Sequence, residues 1–282
     1  MKSLLYSTIV IFVLGIIMGS CNFQPQMKSV FVLQPVNSNV SAKMLSQSAT
    51  IITNRLKFIN IAKFEVVAIP GQNQIKVSLA NGWDSTTVQK LFTEKGFFGF
   101  YETFNHQAVL DILKGDNHLF DLLKREEVRP YDSMLGYALA SDTATVNSYI
   151  KIAPLAQGIR FAWSVISERQ AFCLYAVKSS PLLTDADIES AKCSNDQVDS
   201  GYAIDLMFKK PAIGIWADAT KRNINKAIAI MLDGKVLLAP IVMTEIEGGH
   251  SGITGHFTLL EAKTIAAIIG NGELPLNLQV VK

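Results

Sequence analysis

The apolar residues of this chain switch between a period of two and a period of about 3.6, in the same order twice, and this double alternation constrains the fold more than any other feature. In the first pass, Ser29 to Leu33 is a β-rich run. Met44, Leu45, Ala49, Ile52, Leu56 and Ile59 then recur at helical steps. Phe64 to Ile69 is a strand, and Pro70-Gly71-Gln72-Asn73 is a strong turn signal. Ile75, Val77 and Leu79 alternate with polar residues, as a half-buried strand does. Asp84 or Ser85 can cap a helix carrying Val88, Leu91 and Phe92. Phe97 to Tyr101 closes the set as an aromatic strand.

The second pass occupies the last hundred or so residues. Thr184 with Asp187 three on is a capping-box pattern that opens a short helix. Tyr202 to Phe208 is a strand, and Pro211 suits the first turn of a helix running to about Arg222. Ala227 to Leu232 ends at Asp233-Gly234, a two-residue hairpin signal, because Gly accepts positive φ without steric cost. Val236 to Val242 returns, Thr258 caps a helix bearing Leu260, Ile265 and Ile269, and Leu276 to Val281 closes the order. Both passes read β-α-β-β-α-β, so the expected class is α+β, with two ferredoxin-like units joined by a mixed α/β insertion. In that insertion His106 to Lys124 is read as helical, and Lys124 to Arg129 with Pro130 as a surface connection. Leu135 to Leu139 is read as a strand, Asp142 to Tyr149 as a short helix, and Ile159 to Val165 and Phe172 to Val177 as two further strands.

Composition narrows the function. Lys and Arg total 26 against 24 Asp and Glu, a balance that argues against a dedicated nucleic-acid binder. At 49% hydrophobic residues the chain is not disordered, and 282 residues suggest about two domains. Lys2, an apolar stretch from Leu4 to Met18, and small Gly19 and Ser20 before Cys21 spell a secretory signal. The junction resembles a bacterial lipoprotein lipobox, with Met18 where that motif usually has Leu. The resemblance implies cleavage before Cys21 and acylation of its thiol, giving a signal over residues 1–20 and a tether over 21–28. An uncleaved signal anchor is the competing reading. No other stretch approaches the ~18–20 apolar residues of a membrane span. In an oxidising compartment Cys173 and Cys193 could pair, two inert buried thiols being the alternative.

Signals for chemistry are weak. Gly249-His250-Ser251-Gly252 has the flavour of a nucleophile elbow, but its second Gly falls one position early and the segment follows a hairpin. Gly249, Gly252 and Gly255 lack the Gly-Lys-Ser/Thr of a phosphate cradle and are read as a loop. His250 and His256 have no third ligand at metal spacing. No catalytic residue, metal site or cofactor is assigned.

The C-terminal half carries a family resemblance. Asp233-Gly234-Lys235-Val236-Leu237-Leu238-Ala239-Pro240 is followed by Ile246, Gly248-Gly249, Ser251-Gly252-Ile253-Thr254-Gly255, Phe257-Thr258, Glu261-Ala262 and Gly272-Glu273-Leu274-Pro275. This resembles the first large periplasmic domain of SecD and fused SecDF, accessory subunits of the protein-export translocon, whose pattern runs LDGxVxxAP, IxGGxxxIxGxFTxEEA, GxLP. Upstream, Ile51-Ile52-Thr53-Asn54-Arg55-Leu56 resembles the family's IIxxRV helix, and Phe100-Tyr101-Glu102-Thr103-Phe104 its FxET strand. Departures include Asn225 and Ala212 where Gly is usual.

The resemblance implies a base over 29–104, an insertion over 105–180 and a head over 181–282. It gives Asp233, Gly234, Pro240, Gly248, Gly249, Gly255, Phe257, Gly272 and Pro275 structural roles. The family's proton-coupling membrane bundle has no counterpart in this sequence, so the expectation is a head and base without the motor. The implied function is that of a lipid-anchored, periplasm-facing, non-catalytic binding module. Its partners would be unfolded secretory proteins or Sec translocon subunits, met at a sheet edge or groove between the head and the Phe97 to Phe104 strand. An envelope lipoprotein unrelated to export, a small-ligand binder and a hydrolase stand as alternatives.

Overall fold

The computed structural model describes residues 27–37, 39–80, 83, 85–125, 132–153, 157–165, 171–195 and 201–281. Cys21 and most of the surface connection expected at 124–130 lie outside them. The first pass forms β1 (Met27–Pro35), α1 (Ala42–Phe58), β2 (Phe64–Ile69), β3 (Gln74–Ala80), α2 (Thr86–Thr93) and β4 (Phe98–Phe104). Of the two candidate caps before α2, Ser85 does the work: its Oγ accepts the Val88 N–H at 3.3 Å. The insertion holds α3 (His106–Ile112), α4 (His118–Asp121), β5 (Met134–Leu139), α5 (Thr143–Ile152), β6 (Ile159–Trp163) and β7 (Ala171–Lys178). The single helix expected from His106 to Lys124 is two, because Lys114 and Gly115 both take positive φ and break the ladder between them.

The last part holds β8 (Leu183–Thr184), β9 (Ile188–Asn195), β10 (Tyr202–Phe208), α6 (Lys210–Arg222), β11 (Ile228–Leu232), β12 (Lys235–Leu238), β13 (His250–Phe257), α7 (Leu259–Gly270) and β14 (Leu278–Val280). The Thr184/Asp187 capping box is present, but it closes only a 3-10 turn over Asp185–Asp187 that leads into strand β9. Thr258 caps α7 in the same reciprocal way with Glu261. The glycine-rich segment read as a loop is largely strand β13. Of its glycines only Gly249 takes positive φ, and Gly252 and Gly255 do not.

The α+β class and the first element order hold, while the second order gains a strand, β13, and is divided between two sheets, with β10 beside β9 and β13 and with β11 and β12 beside β4. The first sheet has the order β14-β1-β3-β2, all antiparallel, so the final strand of the chain fills the fourth place. β4 instead pairs with β11, from Phe98 opposite Leu232 to Glu102 opposite Ile228. An aromatic cluster explains where β4 goes. Phe100 stacks on Trp216 with ring centroids 4.6 Å apart and on Phe208 at 5.7 Å, and Phe98 meets Phe100 edge-on at 5.2 Å. One continuous core consequently runs through base and head, from Leu33, Leu45 and Leu56 to Phe208, Ile253 and Ile268.

β4 belongs to a seven-stranded sheet ordered β12-β11-β4-β7-β5, with β6 on β7 and β8 on β4. Ser164, just past β6, bridges Val236 on β12, and the Val165 N–H donates to the Val236 carbonyl at 3.1 Å. The path β12-β11-β4-β7-β6 therefore returns on itself, packed by Tyr101, Val177, Ala229, Met231 and Val236. A three-stranded sheet, β13-β10-β9, completes the head and carries α7 against β9.

Candidate functional site: a polar clamp and an apolar cleft

Four segments distant in sequence meet at Arg55. The residue sits on the apolar stripe of α1, in step with Ile52 and Ile59, so packing that stripe drives the guanidinium into the core. There it is fully buried. Nη1 donates to the carbonyls of Leu91 at 3.1 Å and Glu94 at 2.7 Å. Nη2 donates to those of Lys95 at 2.9 Å and Gly272 at 2.6 Å. Burial pushes Arg55 down to about 10, and the charges of Asp233 and Glu94 restore part of the loss.

Asp233 closes the same clamp from the other side. Asp233 and Gly234, at φ +49° and +79°, make the tight turn between β11 and β12. The Asp233 carboxylate accepts the Gly96 N–H at 2.9 Å and the Phe97 N–H at 2.8 Å, while its own N–H donates to the Phe97 carbonyl at 2.9 Å. Gly96, at φ +95°, has no room for a side chain, since a Cβ there would collide with Arg55 Nη2. The Leu274 N–H donates to the Lys95 carbonyl at 2.7 Å, and Lys95 pairs with Glu273 at 2.5 Å. Burial, reinforced by hydrogen bonding to Asp233, raises Glu94 above the ordinary carboxylate range. The open cleft of about 630 Å³ beside this knot is lined by Glu94, Lys95, Asp233, Lys235 and Glu273. Asp233 is spent on backbone N–H groups and Lys95 on Glu273, so these contacts hold the loops together.

A second polar knot, around Glu102, ties β4 to α6 and β7. Its Oε1 accepts Arg222 Nε at 3.0 Å and Asn223 Nδ2 at 2.9 Å, and Oε2 pairs with Lys178. Burial alone would raise this carboxyl, but the hydrogen bonds from Lys178, Asn223 and Arg222 outweigh it and hold Glu102 down at about 2.

The remaining cleft is of another kind. About 260 Å³ of space lies between β4 and the head, over Phe100, Trp216, Ile228 and Ile230. The chain from Pro240 to Ile246 forms one wall, and Ser251 and Gly252 of β13 stand at the other. None of its lining residues is titratable. Met243 and Ile241 on the rim are 73% and 56% exposed. This is the place, between the head and the Phe97 to Phe104 strand, where a groove was expected.

The structure distributes the sequence-derived residues as follows. Asp233, Gly234 and Gly272 meet in the clamp, and Gly272 lends its carbonyl to Arg55. Pro240 lines the apolar cleft and its carbonyl accepts the Ile228 N–H at 3.1 Å. Gly249 lies where a Cβ would strike Ile213 at 2.8 Å, and its carbonyl accepts the Phe208 N–H at 2.8 Å. The Gly248 carbonyl contacts His250 Nδ1 at 2.8 Å, Gly255 packs on Phe257, and Phe257 is half-buried against the main core. Pro275 follows Leu274 in the turn before β14. Cys173 and Cys193 are free, half-buried thiols on β7 and β9, strands of separate sheets. Burial pushes both thiols up. Among the described residues no group of three His, Cys, Asp or Glu could hold a metal ion. No helix among them is long and apolar enough to cross a membrane.

In the sequence, Arg55 and Glu102 stand out only as parts of family motifs. Two signals mark them: an Arg in register with an apolar helical stripe, and a Glu in period-two register with Phe98 and Phe100.

Residues 163–276 match the family model described as SecDF, P1 head subdomain. This segment is similar to the SecDF head subdomain. The SecD translocase subunit of Acidaminococcus fermentans is 40% identical over 107 residues, which are 38% of this chain and 25% of that protein. SecD of Mycobacterium tuberculosis is 37% identical over 101 residues, 35% of this chain and 18% of that protein. The chain thus matches a quarter or less of the length of these relatives. Likeness in fold reaches further than likeness in sequence. A SecDF structure described as that of a membrane component that enhances protein export superposes with a TM-score of 0.54 at 23% identity, covering 90% of this chain and 98% of that one. A crystal structure of SecDF in a super-membrane-facing form gives 0.56 at 23% identity, over 90% of this chain and 29% of that one. The matched SecD-like segment includes Asp233, Gly272 and most of the apolar cleft, while Arg55, Phe100 and Glu102 come from outside it.

Proposed function

We propose that this SecD-like domain is a non-catalytic holding module of the cell envelope, tethered by a lipid on Cys21, that grips unfolded segments of exported protein in the apolar cleft. The cleft over Phe100 and Trp216 carries the reading: it is apolar, rimmed by exposed Ile241 and Met243, and free of groups that could make or break bonds. Methionine suits such a rim, because its flexible, polarisable side chain adapts to varied apolar partners. The acids and bases of the clamp point to the same division of labour, since they hold loops to one another.

A photo-crosslinking residue at Met243 tests the reading in cells. Newly made secretory chains should crosslink there several-fold above the yield from a probe at Ile152, an exposed apolar residue on α5. Equal yields at both positions would remove the cleft from consideration. The tether has its own test. A clickable fatty acid fed to cells should label the wild-type chain and leave Cys21→Ser unlabelled, and labelling that survives the substitution would dispose of the anchor.

A further inference from the structure

Among the described residues the edge strands are guarded, with one exception. β2 carries Glu65 and is bounded by Lys63 and Pro70. β9 carries Glu189 and Lys192 and has α7 packed against it. β12 is met by Ser164 and Val165, β5 by Lys124 through Tyr137, and β14 is three residues long. Charges, cover and brevity are the usual protections against a foreign strand. β13 has neither charge nor brevity, and α7 touches it far less than it touches β9. Its eight residues, from His250 to Phe257, include no Lys, Arg, Asp, Glu or Pro, and among the described residues its one neighbour is β10. A bulge displaces the register between Ile253 and Phe257, which leaves 250–253 as the regular stretch. Within it, a Cβ built on Gly252 would meet nothing within 4 Å, so a second backbone can come close. Ser251 and Gly252 also border the apolar cleft. On the cleft floor Trp216 is 3% exposed, and its indole N–H has no acceptor.

From these features we infer that the cleft takes its polypeptide by strand addition: an extended segment pairs with 250–253 of β13 and drops every second side chain into the cleft. This rests on the holding function proposed above and specifies its mode. A row of backbone donors and acceptors is complementary to an extended backbone and to little else. The pleat then sends alternate guest side chains to the face that carries Ser251 and Ile253, towards Ile241, Met243 and Trp216, and the others to solvent. The preferred substrate is therefore a segment with apolar residues at alternate positions, selected by pattern rather than by sequence.

The test uses the full chain and a labelled peptide of about eight residues, a typical strand length, with Val or Leu alternating with Ser, Thr or Lys. Binding is followed by fluorescence anisotropy. Two further peptides carry N-methyl groups on alternate residues, one along each edge of the extended backbone. The isomer methylated on the edge facing β13 should bind about tenfold more weakly or worse, because it loses its ladder hydrogen bonds, while the other isomer should keep its affinity. If both isomers bind as well as the parent, or lose affinity equally, strand addition is wrong and gripping of chains by the cleft survives. If the parent peptide itself does not bind, the holding function fails as well. A dimer of this chain that persists at saturating peptide would assign the edge to a second copy and would also overturn the inference.

Discussion

Replacing Arg55 by methionine is expected to lower the melting temperature by about 10 °C or more, the largest effect of any single change considered for this fold. Methionine keeps much of the apolar volume and removes the donors. The guanidinium now serves four carbonyls, on Leu91, Glu94, Lys95 and Gly272, in a site without water access. A buried acceptor left without a donor costs about 1–3 kcal/mol. Partial relaxation and the gain from no longer burying a charge offset some of this, leaving about 3–4 kcal/mol. For a chain of this size each kcal/mol corresponds to roughly 2–4 °C. Arg55→Lys should recover little, because one ammonium cannot span carbonyls that lie on two sides of a planar fork. Thermal unfolding followed by circular dichroism decides the matter: a fall of less than about 3 °C for Arg55→Met would mean that the clamp contributes little. The loss should also be felt at a distance. The carbonyls come from the end of α2, the α2–β4 loop and the turn between α7 and β14, and these are the connections that lead to β4 and β14. Loosening them should therefore weaken protection of β14 from hydrogen exchange before that of β10.

The partners of β4 and β14 show how much of the molecule can be read from its sequence. Individual elements were legible, because each rests on a local period: the stripe of α1, the alternation of β3, the Thr258–Glu261 box, the turn at Asp233-Gly234. Which strand closes which sheet was not. β4 and β14 are both apolar strands that follow a helix, and nothing within either says whether its partner is β1 or β11. Phe100 settles it by stacking with Phe208 and Trp216, residues over a hundred positions away. β13 was misread for a different reason. Its glycines signal turns locally, but only Gly249 needs positive φ. Gly252 instead lies on an open strand edge, a property of the surroundings rather than of the residue. The cleft's outline is not legible in the sequence, since its floor combines β4, α6 and β11, which only the pairing of β4 with β11 brings together. Arg55 was visible in principle, because an arginine in step with Ile52 and Ile59 must either end the apolar stripe or be buried with a purpose.

The acid limb of stability should report Glu102. Its carboxyl titrates near 4.5 when unfolded and at about 2 in the fold, so the native state favours the charged form. The stabilisation is complete above the unfolded value and is lost as pH falls from 4.5 towards 2. Taken at face value the shift would correspond to over 3 kcal/mol, at about 1.4 kcal/mol per pH unit. Lys178 and Arg222 have half of their side chains in water, however, and screening reduces the contribution to about 2 kcal/mol. Glu102→Gln is therefore expected to lose about 2 kcal/mol at neutral pH and to converge on the wild type in acid. Glu102→Ala should lose somewhat more, because Asn223, itself buried, is then deprived of an acceptor. Denaturant titrations of wild type and both variants across this pH range separate charge from packing. A wild-type/Gln difference that does not shrink on acidification would show that shape rather than charge matters at this position. The outcome bears on function through geometry. Glu102 fixes the end of α6 against β4, and those two elements supply Trp216 and Phe100 to the floor of the cleft. Loss of the knot should therefore weaken peptide binding at neutral pH by a factor of a few, even though Glu102 lines no part of the cleft and touches no guest.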